Sequence, residues 1–187
     1  HEACARPGLS TFMSMLLEDQ RQAKAWDVGA RLKGDIRSMQ VGDGEGNLDL
    51  LLVGDSHMEQ NLLRFKYLSE RLNLSMVSLT HGGTLAAPHV EDPDSMVLIQ
   101  EFENLLINRK PKVVVWAQKW GIYAESSTLK YSNGVEKISM SEGGFVRVLS
   151  EFRGLAESNP DVRFFLFWTL PGMIIHTIIQ IVQDVPL

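Results

Sequence analysis

Ser56 stands between Asp55 and His57 in the stretch Gly54-Asp55-Ser56-His57, directly after the apolar run Leu48-Asp49-Leu50-Leu51-Leu52-Val53. A serine hydroxyl becomes a nucleophile only when a base takes its proton. A hydrophobic strand that ends in a tight turn before a helix is one way to expose such a hydroxyl at the carboxyl edge of a parallel sheet. Backbone N–H groups of that turn then lie where they can hold an oxyanion. The competing reading is structural: Ser56 caps a helix running from Met58, a position serine favours.

Two further strand ends carry small or polar residues where such a site needs them. Thr80-His81-Gly82-Gly83-Thr84 follows the run from Leu74 to Leu79, and its glycines let backbone N–H groups approach a ligand closely. A plain flexible connection explains the same residues. Trp116-Ala117-Gln118-Lys119-Trp120-Gly121 follows the run from Lys112, and Gln118 or Lys119 is placed to point into the same crevice. Trp116 reads as core packing. His57 adjoins the candidate nucleophile as a supporting or substrate-contacting residue, and His81 on the second loop is a substitute base. Asp55 is expected to brace the turn through local hydrogen bonds.

The elements that position these residues alternate. Strand patterns cover 50–53, 74–79, 112–117 and 162–169. Helical patterns cover 62–72, 96–107 and 145–155, with Leu62, Leu63, Phe65, Leu68 and Leu72 giving the first an apolar face. The strand from Lys112 is almost wholly apolar, as one buried on both faces should be. Such alternation predicts an α/β fold, a mainly parallel sheet with helices on both faces. Residues 126–141 are polar and turn-rich, a hairpin or lid. Residues 11–36 read as helical, and Gly42-Asp43-Gly44-Glu45-Gly46-Asn47 as a surface loop rather than a dinucleotide or calcium motif. The expected division is an N-terminal helical segment and loop over residues 1–46, packed on a domain over residues 47–187.

Composition narrows the function classes. The 187 residues suit one domain with a sizeable core, at 44% hydrophobic and 22% charged. A net charge of -5 without a basic stripe argues against nucleic acid as a partner. Cys4 is the single cysteine, so neither an internal disulfide nor a cysteine zinc site is expected. No metal is expected, because His and carboxylate residues lack paired ligand spacing, and no cofactor is called for. No signal peptide is visible, and no apolar run reaches the roughly 18 residues of a membrane span.

Three blocks carry a resemblance. LDLLLVGDSHMEQ resembles the first block of the SGNH, or GDSL-type, hydrolase superfamily. PKVVVWAQKWGIY and DVRFFLFWTLP resemble the third block and fourth strand of one branch of it. That branch is fused to membrane acyltransferases that O-acetylate bacterial surface polysaccharides. The resemblance runs from Leu48 to Pro171 and implies a three-layer α/β/α, flavodoxin-like fold. It implies Ser56 as nucleophile, with oxyanion donors at the N–H of Ser56 and at Gly82 or Gly83. The third-block asparagine of ordinary members is replaced here; Lys119 and Gln118 stand nearby. Trp120 belongs to the branch's third block as a supporting residue.

The implied activity is a serine-dependent acyl-ester hydrolase or O-acyltransferase acting on acetylated carbohydrate. The implied partners are an acetylated sugar or polysaccharide and a membrane acyltransferase domain, and the implied location is outside the cytoplasmic membrane, periplasmic or at the cell surface. The family's Asp-x-x-His block is not found. His176 lies in an apolar, helix-like run where it reads as packed, and Asp184 follows it in the wrong order. The chain starts on histidine and ends in mid-pattern, which leaves two expectations. Either the chain stops one strand-helix unit short, or the pair is lost. In the second case the alternative function is an inactive carbohydrate-binding or partner-docking domain, with Trp116, Trp120 and Tyr123 as a sugar-stacking surface.

Overall fold

The computed structural model describes residues 30–31, 36–42, 46–169 and 176–180. Within them, strands and helices alternate much as the hydrophobic periodicity dictates. β1 is Ala30–Arg31, β2 Arg37–Val41 and β3 Leu50–Gly54. Helices α1 (Ser56–Glu59) and α2 (Leu62–Leu72) lead to β4 (Met76–Thr80). Helix α3 (Pro93–Arg109) leads to β5 (Val113–Gln118), and the short α4 (Trp120–Ala124) follows it. A hairpin of β6 (Lys130–Ser132) and β7 (Lys137–Ser139) precedes α5 (Gly144–Ser158). β8 (Arg163–Thr169) and β9 (His176–Gln180) complete the described residues.

Seven strands form one sheet in the order β1-β2-β4-β3-β5-β8-β9. The four central strands are parallel, and the outer pairs β2–β4 and β8–β9 are antiparallel. β3 sits in the middle because its run Leu50-Leu51-Leu52-Val53 is apolar on both faces, which only a doubly covered strand can bury. Side chains alternate across it. Leu51 and Val53 join Val114, Trp116, Phe102 and Phe152 in one core cluster, while Leu52 joins Val115, Met58 and Leu62 in another. The first cluster holds α3 and α5 against one face, and the second holds α1 and α2 against the other. This is the three-layer α/β arrangement that the alternating patterns predict.

Local signals set the helix ends. Pro93 opens α3 after Asp92, whose side chain accepts from the Asp94 N–H at 3.4 Å. Asn73, in the left-handed region at φ 53°, ends α2.

Two sequence expectations give way. Residues 30–31, within the span 11–36 expected to be helical, are a strand, and residues 37–41 form another, so part of the segment expected to pack on the domain lies within its sheet. The backbone of β2 pairs with β4 along Arg37 to Val41, and Met39 and Val41 pack on the second cluster. Edge pairing of this kind overrides a weak helical periodicity. Residues 176–180 are likewise a strand rather than helix-like, which suits the β-branched Thr177, Ile178 and Ile179. Residues 1–29, residues 43–45 of the glycine-rich loop and Asp184 lie outside the described residues.

Candidate active site

The order of the strands reverses at β3: β4 lies on one side of it and β5 on the other, both parallel to it. The segment after β3 covers one face of the sheet, and the segment after β5 covers the opposite face. A crevice at the carboxyl ends of β3 and β5 follows from that topology, and α/β proteins place ligands there. Gly54-Asp55-Ser56 and Lys119-Trp120 form its two lips. Gly54 allows the approach, since a Cβ at that position would lie 1.9 Å from the carbonyl oxygen of Ala117 on β5.

The acid in the turn does more than brace it locally. Asp55 is buried, and it is the cap of α1: its Oδ1 accepts from the His57 N–H at 2.8 Å. Its Oδ2 accepts from the Lys119 N–H at 3.0 Å and from the Tyr123 hydroxyl at 3.0 Å. One carboxylate therefore ties the β3 turn to the β5 turn. Burial, then the Asp55 charge and hydrogen bond, push the Tyr123 hydroxyl well above the ordinary phenol range, so it stays protonated as a donor.

With Asp55 capping, Ser56 is the first residue of α1 rather than its cap. It is half-buried, and neither its hydroxyl nor its N–H has a hydrogen-bond partner among the described residues. The hydroxyl is thus uncommitted at the carboxyl end of β3. The N–H is one of the helix's unpaired amino-terminal donors. Gly82 and Gly83 are exposed on the loop after β4, with Gly83 at φ +82°, and that loop is tied back to β3 by the His81 N–H on Gly54 O at 3.1 Å. These groups can supply the charge-stabilising donors that an acyl-transfer transition state requires.

The remaining candidates fall in different places. Gln118 is fully buried and both ends of its amide bind Ala86, Oε1 accepting at 3.0 Å and Nε2 donating at 3.1 Å. It holds the loop after β4 rather than reaching into the crevice. Lys119 contributes its N–H to Asp55, and its side chain is exposed. His57 Nδ1 lies 3.3 Å from Asp55 Oδ1 without hydrogen-bond alignment. His81 is engaged by its own loop and by α3, with Nδ1 at 2.7 Å from Thr84 Oγ1 and Nε2 at 3.6 Å from Asp94 Oδ2. In the β8–β9 register His176 pairs with Thr169, near the carboxyl end of β8. That places its backbone three strands from β3, roughly 14 Å at normal strand spacing.

A sugar-stacking surface of tryptophans is overturned. Trp116 and Trp120 are fully buried. Trp116 donates to Ala86 O at 2.8 Å and packs edge-on against Phe102 and Phe152. Trp120 donates to Phe167 O at 2.8 Å and packs on Phe145 and Phe152. Each buries a large ring while satisfying its single N–H. The turn-rich segment after α4 is a hairpin, and it is pinned: the buried Tyr131 donates to Glu151 on α5 at 2.6 Å.

Sequence reading did not single out Glu59 or Arg37, and it took Thr80 only as the start of the loop that follows the strand, whereas Thr80 is the last residue of β4. Glu59 is buried and its Oε2 lies 3.5 Å from Arg37 Nη1. The available signal was spacing, since Glu59 follows Ser56 by three positions on one helix face. Among the described residues no cluster of His, Cys, Asp and Glu could hold a metal ion, and no helix is long and apolar enough to cross a membrane.

No curated protein and no solved structure matches this chain. One family model does, over residues 23–166, and its description is an SGNH domain fused to AT3 domains. That match covers most of the chain and both lips of the crevice, and the parallel sheet with a serine turn after its central strand agrees with it: the chain belongs to the SGNH-domain family whose description notes fusion to AT3 domains.

Proposed function

We propose that this chain handles acyl esters through Ser56, as a hydrolase or as an O-acyltransferase acting on acetylated carbohydrate. One observation carries the reading. Asp55 takes over the capping role, which leaves the Ser56 hydroxyl unbonded at the topological switch point of a family of hydrolase and acyltransferase type.

In the reaction, Ser56 Oγ attacks the ester carbonyl carbon and gives its proton to a base. The carbonyl oxygen becomes an oxyanion facing the Ser56 N–H and the Gly82–Gly83 loop. The C–O bond to the alcohol breaks, and the alcohol leaves with a proton. The acyl-serine then passes its acyl group to water or to a sugar hydroxyl. Fusion of family members to AT3 domains supports a membrane acyltransferase as the partner, and a site of action outside the cytoplasmic membrane goes with it.

A second reading is favoured by one observation: no described histidine hydrogen-bonds the Ser56 hydroxyl. On that reading the domain kept the serine turn, lost the base and docks a carbohydrate or a partner. Fluorophosphonate labelling and p-nitrophenyl acetate turnover in the full-length protein separate the two. The expected result is labelling and turnover in the wild type, with both falling at least 1,000-fold in Ser56→Ala, as loss of a nucleophile requires. Equal labelling of wild type and variant removes Ser56 from the chemistry.

A further inference from the structure

Among the described residues, three buried side-chain atoms lack a hydrogen-bond partner: His57 Nδ1, Glu59 Oε1 and Thr80 Oγ1. All three lie on or beside the turn that carries Ser56. His57 and Glu59 belong to α1, and Thr80 is the register partner of Gly54 at the end of β4. His57 Nδ1 at least faces the Asp55 carboxylate. Glu59 Oε1 and Thr80 Oγ1 have no such neighbour, although Glu59 is 7% exposed and Thr80 0%. Leaving a buried polar group unpaired costs about 1–3 kcal/mol, more for a charge. Native structures fill such groups with an ordered water, an ion or a ligand, or keep them for function.

The rest of the surroundings is polar as well. Arg37 on β2 sits opposite Thr80 in the β2–β4 register, and its Nη1 reaches Glu59 Oε2 at 3.5 Å, which leaves Oε1 uncommitted. Gly82 forms the rim, since a Cβ there would lie 3.9 Å from Glu59 Oε2. The Ser56 turn therefore has two unlike flanks. Toward β5, Asp55 has its hydrogen bonds filled by protein donors. Toward β4, Arg37 is the register partner of Thr80 and reaches one Glu59 oxygen, while Glu59 Oε1 and Thr80 Oγ1 stay without a protein partner.

Hydroxyl groups fit that set. Each one donates to the Glu59 carboxylate and accepts from Arg37 or Thr80, whereas an acyl chain leaves every one of these groups unpaired. We propose that Arg37, Glu59 and Thr80 form a subsite beside Ser56 for adjacent hydroxyls of a sugar, the alcohol half of the ester or the acceptor. The sugar's role in turnover rests on the ester reading above; its binding does not.

The test separates the two in the full-length protein. Binding of a mono-O-acetylated methyl glucopyranoside is measured by NMR titration in a Ser56→Ala background. Saturable binding is expected there, weakened at least tenfold by Glu59→Gln and by Thr80→Val. In the Ser56 protein, the ratio of kcat/KM for that glycoside to kcat/KM for p-nitrophenyl acetate falls at least tenfold in the same variants. Binding decides: no saturable binding, or binding within twofold in both variants, overturns the subsite. Saturable binding that Glu59→Gln and Thr80→Val each weaken, in a protein that cleaves neither ester, keeps the subsite and removes the ester reading. Thermal unfolding is the control for folding. Thr80→Val removes an unpartnered hydroxyl and is expected to hold or raise the midpoint; a clear drop marks the hydroxyl as structural and overturns its place in the subsite.

Discussion

Asp55 bonds to three donors from the segments that follow β3 and β5: the His57 N–H, the Lys119 N–H and the Tyr123 hydroxyl. A buried carboxylate is tolerable only when its lone pairs are filled, and here they are filled by groups that must be in place for the crevice to exist. Asp55→Asn turns one acceptor into a donor that faces other donors. Its expected effect is a loss of about 2–3 kcal/mol of stability. Turnover of p-nitrophenyl acetate is expected to fall by about 10- to 100-fold, because the Ser56 turn loses its tie to β5. Chemical denaturation and steady-state kinetics on the same preparation check both, and an unchanged stability refutes the clamp. Tyr123→Phe removes a single donor and sits between the wild type and Asp55→Asn in both measurements.

The element that matters most is the strand-turn-helix unit of β3 and α1. Most of its design is local: four apolar residues, a glycine, a capping acid and then the helix. The glycine, though, is required by another strand. A side chain at residue 54 would collide with Ala117 O at 1.9 Å and touch Met58 Cβ at 3.0 Å. Gly54→Ala is thus expected to push β3 and β5 apart, with a loss of about 3 kcal/mol or more. It should also abolish turnover by moving Ser56 off its place. A variant that melts within 2 °C of the wild type contradicts that contact; a thermal scan decides. β2 and β9 teach the converse lesson. Each is an outer strand whose weak apolar pattern is compatible with a helix, and each is decided by pairing with a neighbour.

Across the whole molecule, the two edges of the central sheet are built for different tasks. At the carboxyl edge, groups are left unpaired around Ser56. At the amino edge they are stitched together. Asp49, just before β3, accepts from the Ser75 N–H at 2.9 Å and from Lys112 Nζ at 2.7 Å, which joins the starts of β3, β4 and β5. The Lys112 hydrogen bond, followed by the Ser75 N–H, holds the Asp49 carboxyl below its ordinary range. A depressed folded-state value stabilises the fold above the unfolded value, and that contribution is lost as pH falls through the folded one. The stability of the wild type is therefore expected to drop as pH falls below about 4. Asp49→Asn is expected to cost about 1 kcal/mol at pH 7, a modest figure because the site is partly solvated. Its stability curve should be flatter below pH 4. Urea midpoints from pH 7 to pH 3 test this, and parallel curves for the two proteins exclude the linkage.

Adjacent residues alone determined the alternation of strands and helices, a polar, turn-rich segment over 126–141 suited to a hairpin or a lid, and the arrival of Ser56 at the end of a buried strand. Periodicity and turn chemistry are local properties, written in residues that are neighbours along the chain. Tertiary structure alone decided what those residues do. It gave Asp55 a partner 64 positions away, sank Trp116 and Trp120 into the core, committed Gln118 to Ala86, and set Arg37 opposite Thr80 and within reach of Glu59. Strand order and register set those contacts, and a register exists only once separate segments have paired.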